Sequence, residues 1–175
     1  MLEGNHIKLR ALEPEDAELL FKWENDYELW KVSNTLKPFS MNMIKSYIEN
    51  EAMDIFETKQ LRLMVDLLGE RTKTIGMVDL FDFDPFNSRA GVGIMIHKDF
   101  RSNGHALDTL NVLCNYSFIH LNVHQLHCII SVSNEPSLKL FKKAGFIEIG
   151  LQKDWIFNGN EFEDVYLMQK INPKH

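Results

Sequence analysis

The chain has 175 residues, 45% of them hydrophobic and 25% charged, with a formal net charge of −6. These are ordinary values for one globular domain spanning 1–175 that can bury a core without staples. The acidic balance and the thin spread of Lys and Arg argue against a nucleic-acid partner and favour a cationic one.

Met1 to Arg10 is mixed polar and apolar rather than a charged segment followed by an apolar block, and no apolar run approaches about 18 residues. A soluble, cytoplasmic protein with no membrane partner is therefore expected. Cys114 and Cys128 have neither the spacing of a disulfide scaffold nor that of a metal site and read as small buried hydrophobes.

In chain order, His6-Ile-Lys-Leu-Arg-Ala alternates and predicts a first strand. Glu13-Pro14-Glu15-Asp16 joins a proline to acidic residues in a first turn, and Leu19, Leu20 and Trp23 continue at helical spacing to about Asn25. A short helix and loop are expected over 27–39, then a helix through Met43, Ile44, Tyr47 and Ile48 capped by Ser40. Leu61 to Leu67 and Thr74 to Phe81 read as strands joined by a hairpin at Gly69-Glu-Arg-Thr. Asp82, Asp84, Pro85 and Asn87 mark a turn, and Arg89 to His97 a fourth strand.

A polar turn at Arg101-Ser102-Asn103-Gly104 leads into a helix with Ala106, Leu107, Leu110, Leu113 and Tyr116 at helical spacing. Gln125 to Val132 is a nearly continuous apolar strand, and Asn134 to Gly145 a compact helix with an early proline and a glycine stop. Strands over about 146–157 and 163–171 flank an Asn158-Gly159 turn. The order βααβββ-αβαββ, without repeats or linkers, fits an α+β sheet with helices on its faces.

The strand, turn and helix around Gly104 suit an anion, because the first amides of a helix lack partners and its N-terminus is positive. Glycine there lets the backbone come close to a ligand. No Walker loop and no Gly-x-Gly-x-x-Gly is present. Instead, Arg101-x-x-Gly104-x-Ala106 resembles the pyrophosphate-binding signature of the GCN5-related N-acetyltransferases. About thirty residues later, Asn134-x-x-Ser137-x-x-x-Phe141-x-x-x-Gly145-Phe146 is similar to that family's second signature, Asn-x-x-Ser/Ala-x-x-x-Tyr-x-x-x-Gly-Phe. The opening Ile7-Lys-Leu-Arg-Ala-Leu-Glu-Pro-Glu-Asp and the closing Phe157-Asn-Gly…Asp164-Val-Tyr resemble the branch that contains ribosomal-protein and polyamine acetyltransferases.

The resemblance implies a mixed, mostly antiparallel sheet flanked by helices and splayed at an acetyl-CoA cleft, with acetyl-CoA as donor and a small-molecule amine as acceptor. Backbone groups of Ile94, Met95 and Ile96 would pair with the pantetheine arm. Arg101, Ser102, Asn103, Gly104, His105 and Ala106 would hold the pyrophosphate, and Asn134, with Ser137 and Phe141 in its motif, would face the arm from the other side. Asn134 is equally at home as a helix cap.

Many family members protonate the departing thiolate with a tyrosine, where this chain has Phe141. Tyr116 and Tyr166 are the candidate acids, and both also read as packed core residues. A thiol of pKa around 8.5 can also leave largely unassisted. Among Asp79, Asp82 and Asp84, Asp82 matches an acidic position of the polyamine acetyltransferases and is the candidate for capturing an ammonium, a carboxylate being a weak base. His97, His120, His124 and His127 lack metal-ligand spacing, so no metal is expected.

Two departures bear on the substrate. The acidic residues that help bind polyamine at a regulatory site are replaced by Thr35-Leu36-Lys37-Pro38, and the branch's Arg-Ala-Glu by Arg89-Ala90-Gly91. The acceptor therefore stays open between a polyamine, another primary amine and a protein N-terminus. A non-catalytic acyl-CoA-binding module and an assembly of identical chains stay open too.

Overall fold

A computed structural model describes residues 2–33, 35–50, 54–69 and 73–174. Seven strands form one sheet: β1 (Ile7–Arg10), β2 (Leu61–Leu67), β3 (Lys73–Asp84), β4 (Arg89–Ile96), β5 (Gln125–Ser131), β6 (Ile147–Phe157) and β7 (Phe162–Ile171), in the order β1-β2-β3-β4-β5-β7-β6. Every neighbouring pair is antiparallel except β4 and β5. Among the described residues six α-helices accompany it: α1 (Ala17–Glu24), α2 (Tyr27–Ser33), α3 (Met41–Asn50), α4 (Ile55–Thr58), α5 (His105–Ile119) and α6 (Glu135–Lys143).

The two faces of the sheet carry separate cores, as the period of two along a strand requires. Ala90, Val92 and Ile96 of β4 and Leu126, Cys128 and Ile130 of β5 join Leu110, Leu113 and Phe118 of α5 and Leu138 and Phe141 of α6. On the opposite face Met64, Met77 and Met95 pack with Leu20 and Trp23 of α1 and Ile44 and Ile48 of α3. Each fully buried leucine in these clusters contributes roughly 1.5–3 kcal/mol.

Among the described residues no helix covers this second face beyond β4, and Ile129 of β5 and Ile149 of β6 are more than 40% exposed. The layers therefore leave an open floor beside the α1/α3 side. The fold is the expected α+β arrangement with a mixed, mostly antiparallel sheet.

Several element limits differ from the sequence reading. β3 runs on to Asp84, and the expected turn shrinks to 85–88. The cause is a bulge: pairing jumps from Phe81↔Gly91 to Asp84↔Arg89, so the strand continues through residues whose composition marks a turn. α4 was not expected, because four residues carry no readable period; an Asp54 carboxylate accepting from the Phe56 amide starts it. The expected hairpin at 69–72 lies, apart from Gly69, outside the described residues. Ser40 caps α3 as expected, its Oγ accepting from the Met43 amide at 3.2 Å.

Candidate active site

β4 and β5 pair only through Arg89↔Gln125, Ala90↔Leu126 and Gly91↔His127. Parallel strands that separate after three pairs leave backbone groups of both without a partner strand, and such groups call for another donor or acceptor. On its other side β4 stays paired with β3 as far as Gly76↔Ile96. The His97 amide donates to the Ile75 carbonyl at 2.8 Å, and alternation then turns the peptide groups of Met95 and Gly93 toward β3 as well.

Those of Ile94 and Ile96 face the gap. The three residues expected to act together are thus not equivalent: Ile94 presents its backbone groups to the cleft, Met95 presents its own to Met77, and the Ile96 carbonyl accepts from Arg101 Nε at 2.9 Å.

At the wide end of the gap lies the loop before α5. Gly104 is its N-cap, with φ of 82°, a conformation glycine adopts without strain. A Cβ built there would meet nothing within 4 Å, so the space above the helix start is open to a ligand. Ser102 is also left-handed, with φ of 64°. The Asn103 side-chain amide donates to the Arg101 carbonyl at 3.0 Å.

His105 Nδ1 is buried and finds no partner among the described residues. An open cradle of helix-start amides with an orphaned ring nitrogen beside it suits a pyrophosphate. Arg101 lends this loop less charge than its place in the motif suggests, since its guanidinium braces the turn against β4.

A residue that sequence reasoning passed over anchors this helix start. Asp108, in the first turn of α5, accepts from the amides of Asn5 at 3.1 Å and His6 at 2.7 Å. Its carboxylate also suits the positive end of the helix. Gly4 makes the approach feasible, because a Cβ there would stand 2.5 Å from Asp108 Oδ1. Only the pairing of Asp108 with two amides about a hundred residues away reveals this, and no local spacing could.

On the far wall of the cleft Asn134 begins α6, its Oδ1 accepting from the Ser137 amide at 3.3 Å. The cap reading of Asn134 is the one its oxygen fulfils. Phe141 is 3% exposed and meets Phe146 edge to face at 5.0 Å.

Tyr116 lies on α5, across the sheet from Asp79 and Asp82. It sits about 18 Å along α5 from Gly104 at 1.5 Å per residue, stacked on His120 at 5.2 Å. α5 lies on the face of the sheet opposite the open floor, and burial pushes the Tyr116 phenol up. Tyr166 packs against the α5/α6 core.

At the narrow end, on the open face, is a hollow of about 480 Å³ lined by Asp82, Asp84, Arg89, Gln125, His127, Ile149, Leu167 and Gln169. Of the three candidate acids, Asp79 is taken by Arg62, with contacts of 2.7 and 3.0 Å; Arg62 also binds Glu24. Asp84 accepts from the Asn87 side chain at 2.7 Å and amide at 3.0 Å and pairs with Arg89 at 3.2 Å. The Asn87 bonds hold its carboxyl below the usual range.

Asp82 has no hydrogen bond or ion pair among the described residues. The bulge puts it at φ of 48° and exposes it at the rim of the hollow. The glycine in Arg89-Ala90-Gly91 has a local cause: a Cβ at 91 would lie 2.4 Å from the Phe81 ring.

Cys114 and Cys128 are buried, and burial pushes both thiols up, which makes them inert packing groups. Among the described residues no cluster of three His, Cys, Asp or Glu could hold a metal ion, and no helix is long and apolar enough to cross a membrane.

The sequence profile of the acetyltransferase (GNAT) domain matches residues 6–147. A spermidine N(1)-acetyltransferase of Vibrio cholerae is 24% identical over 175 residues, covering 98% of this chain and 96% of that one. An uncharacterized N-acetyltransferase of Bacillus licheniformis is 25% identical over 175 residues, covering 99% and 97%. The crystal structure of spermidine N-acetyltransferase from Vibrio cholerae in complex with CoA and spermine superposes with a TM-score of 0.86 at 24% identity, covering 96% of each chain.

Proposed function

The chain belongs to the acetyltransferase (GNAT) family, and from that premise we propose that it transfers acetyl from acetyl-CoA to a cationic primary amine, a polyamine such as spermidine, by direct attack in a ternary complex. The observation that carries this reading is the separation of β4 from β5 after three pairs, with an acid-rimmed hollow at the point of separation and an anion cradle at the wide end. Acetyl-CoA, when bound, supplies an activated thioester. The amides from Arg101 to Ala106 hold the diphosphate, Ile94 pairs with the arm along β4, and Asn134 reaches it from α6.

The acceptor enters from the open face, because the other face at the apex is filled by the core under α5 and α6. Asp82 draws the ammonium end of the acceptor toward the apex, and a net charge of −6 works in the same direction at longer range. Phe141 has no proton to give, so the thiolate leaves without a tyrosine acid from that position. The names of the Vibrio cholerae relatives support polyamine as the acceptor class.

The deciding experiment is thiol release from acetyl-CoA across spermidine, spermine, amino acids and short peptides. The highest kcat/KM is expected for the polyamines. Turnover confined to peptides with a free N-terminus would replace the polyamine acceptor with a protein N-terminus. CoA binding without thiol release from any amine would instead mark a non-catalytic acyl-CoA module.

A further inference from the structure

His127 occupies a position that neither motif predicts. It is the β5 member of Gly91↔His127, the last pair before the strands part. Its neighbours Leu126 and Cys128 are buried in the core under α5. Alternation along the strand therefore turns His127 to the open face, where its side chain lines the hollow beside Asp82.

Phe81 meets the imidazole edge to face at 6.4 Å and walls it on the β3 side. The charged groups that face it are Asp82 and Asp84 from β3 and Arg89 from β4; Gln125 of β5 itself and Gln169 of β7 complete the polar lining, and β6 contributes Ile149. The ring thus stands at the apex of the cleft, on the side the acceptor must use.

Resting on the proposed amine acetylation, we infer that His127 is a catalytic residue, the base that takes the proton from the acceptor nitrogen. The captured ammonium first gives up one proton to water; the nitrogen of the neutral amine then bonds to the acetyl carbon as the carbon–sulfur bond breaks and its electron pair leaves on sulfur. The proton released from nitrogen passes to a ring nitrogen of His127, which returns it to water, and the thiolate takes its proton from solvent.

An imidazole is better matched to this work than a carboxylate, whose ordinary pKa near 3.9 leaves it little affinity for a proton at neutral pH. Burial holds the His127 imidazole below its usual value and Arg89 adds to this, while Asp82 opposes both. The ring is therefore unprotonated at neutral pH and available as an acceptor. Asp82 then has two effects, drawing in the ammonium and steadying the imidazolium that forms.

The test combines a titration without acetyl-CoA and a kinetic comparison. By NMR, the His127 ring in the intact protein should titrate below free imidazole, and in Asp82→Asn it should move lower still. A His127 titration that Asp82→Asn leaves unchanged would overturn the arrangement.

In kinetics with the best amine of the panel, the kcat/KM of the parent should rise with pH through the His127 value found by NMR. In His127→Asn kcat should fall about a hundredfold or more and that inflection should vanish, with the CoA-induced rise in melting temperature retained. An active parent whose His127→Asn variant keeps its kcat and pH profile refutes the base. A parent that releases no thiol with any amine refutes the amine acetylation itself, and the role of His127 with it.

Discussion

Gly104→Ala separates the fold of the loop from its use. In the unliganded protein the new methyl group meets nothing within 4 Å, so its cost is conformational alone: φ of 82° is left-handed, and a residue with a Cβ is disfavoured there by about 1–2 kcal/mol. At about 2.1 cal/mol/K per residue, 175 residues give an unfolding entropy of about 0.37 kcal/mol/K, so the variant should melt about 3–5 °C below the parent.

Saturation with CoA at about 100 times its dissociation constant stabilises the parent by roughly 2.7 kcal/mol, or about 7 °C. In the variant the methyl group stands in the space above the helix-start amides, where the diphosphate must come close. The expected result is a folded protein, by circular dichroism, whose melting temperature no longer responds to the same CoA concentration. A variant that keeps the full shift would show that the loop is not the diphosphate site. A drop much larger than 5 °C without ligand would show that the methyl group meets something after all.

Asp79→Ala should cost about 1–3 kcal/mol in denaturant unfolding, because Arg62, with a side chain only 13% exposed, loses a two-point partner while Glu24 still compensates its charge; a loss well below about 1 kcal/mol would show that the pair is dispensable. Phe141→Tyr places a hydroxyl in a site 3% exposed and packed edge-on against Phe146, so a loss of about 1–3 kcal/mol and a turnover within tenfold of the parent are expected. A turnover gain of tenfold or more, with saturating acetyl-CoA, would show instead that the parent lacks an efficient acid.

Local spacing determined most of this protein. The alternation at Ile7 and Leu9, the nearly unbroken apolar run of β5 and the helical recurrence from Ala106 to Tyr116 are signals carried within one element, where burial of one face dictates the period. The two motifs were legible for the same reason, since each lies within one turn and one helix. What depended on elements meeting was hidden.

Asp79, Asp82 and Asp84 look alike along the chain, and only the sheet register gives the first to Arg62, the last to Asn87 and Arg89, and leaves Asp82 open at a bulge. His127 reads as one polar residue in an apolar strand until the last β4–β5 pair puts it at the apex of the cleft. The reach of Asp108 to the amides of Asn5 and His6 spans about a hundred residues, a distance over which sequence carries no phase. Periodicity therefore specifies which side of its own element a residue takes, whereas the partner across the gap is set by how the strands are ordered and where two of them stop pairing.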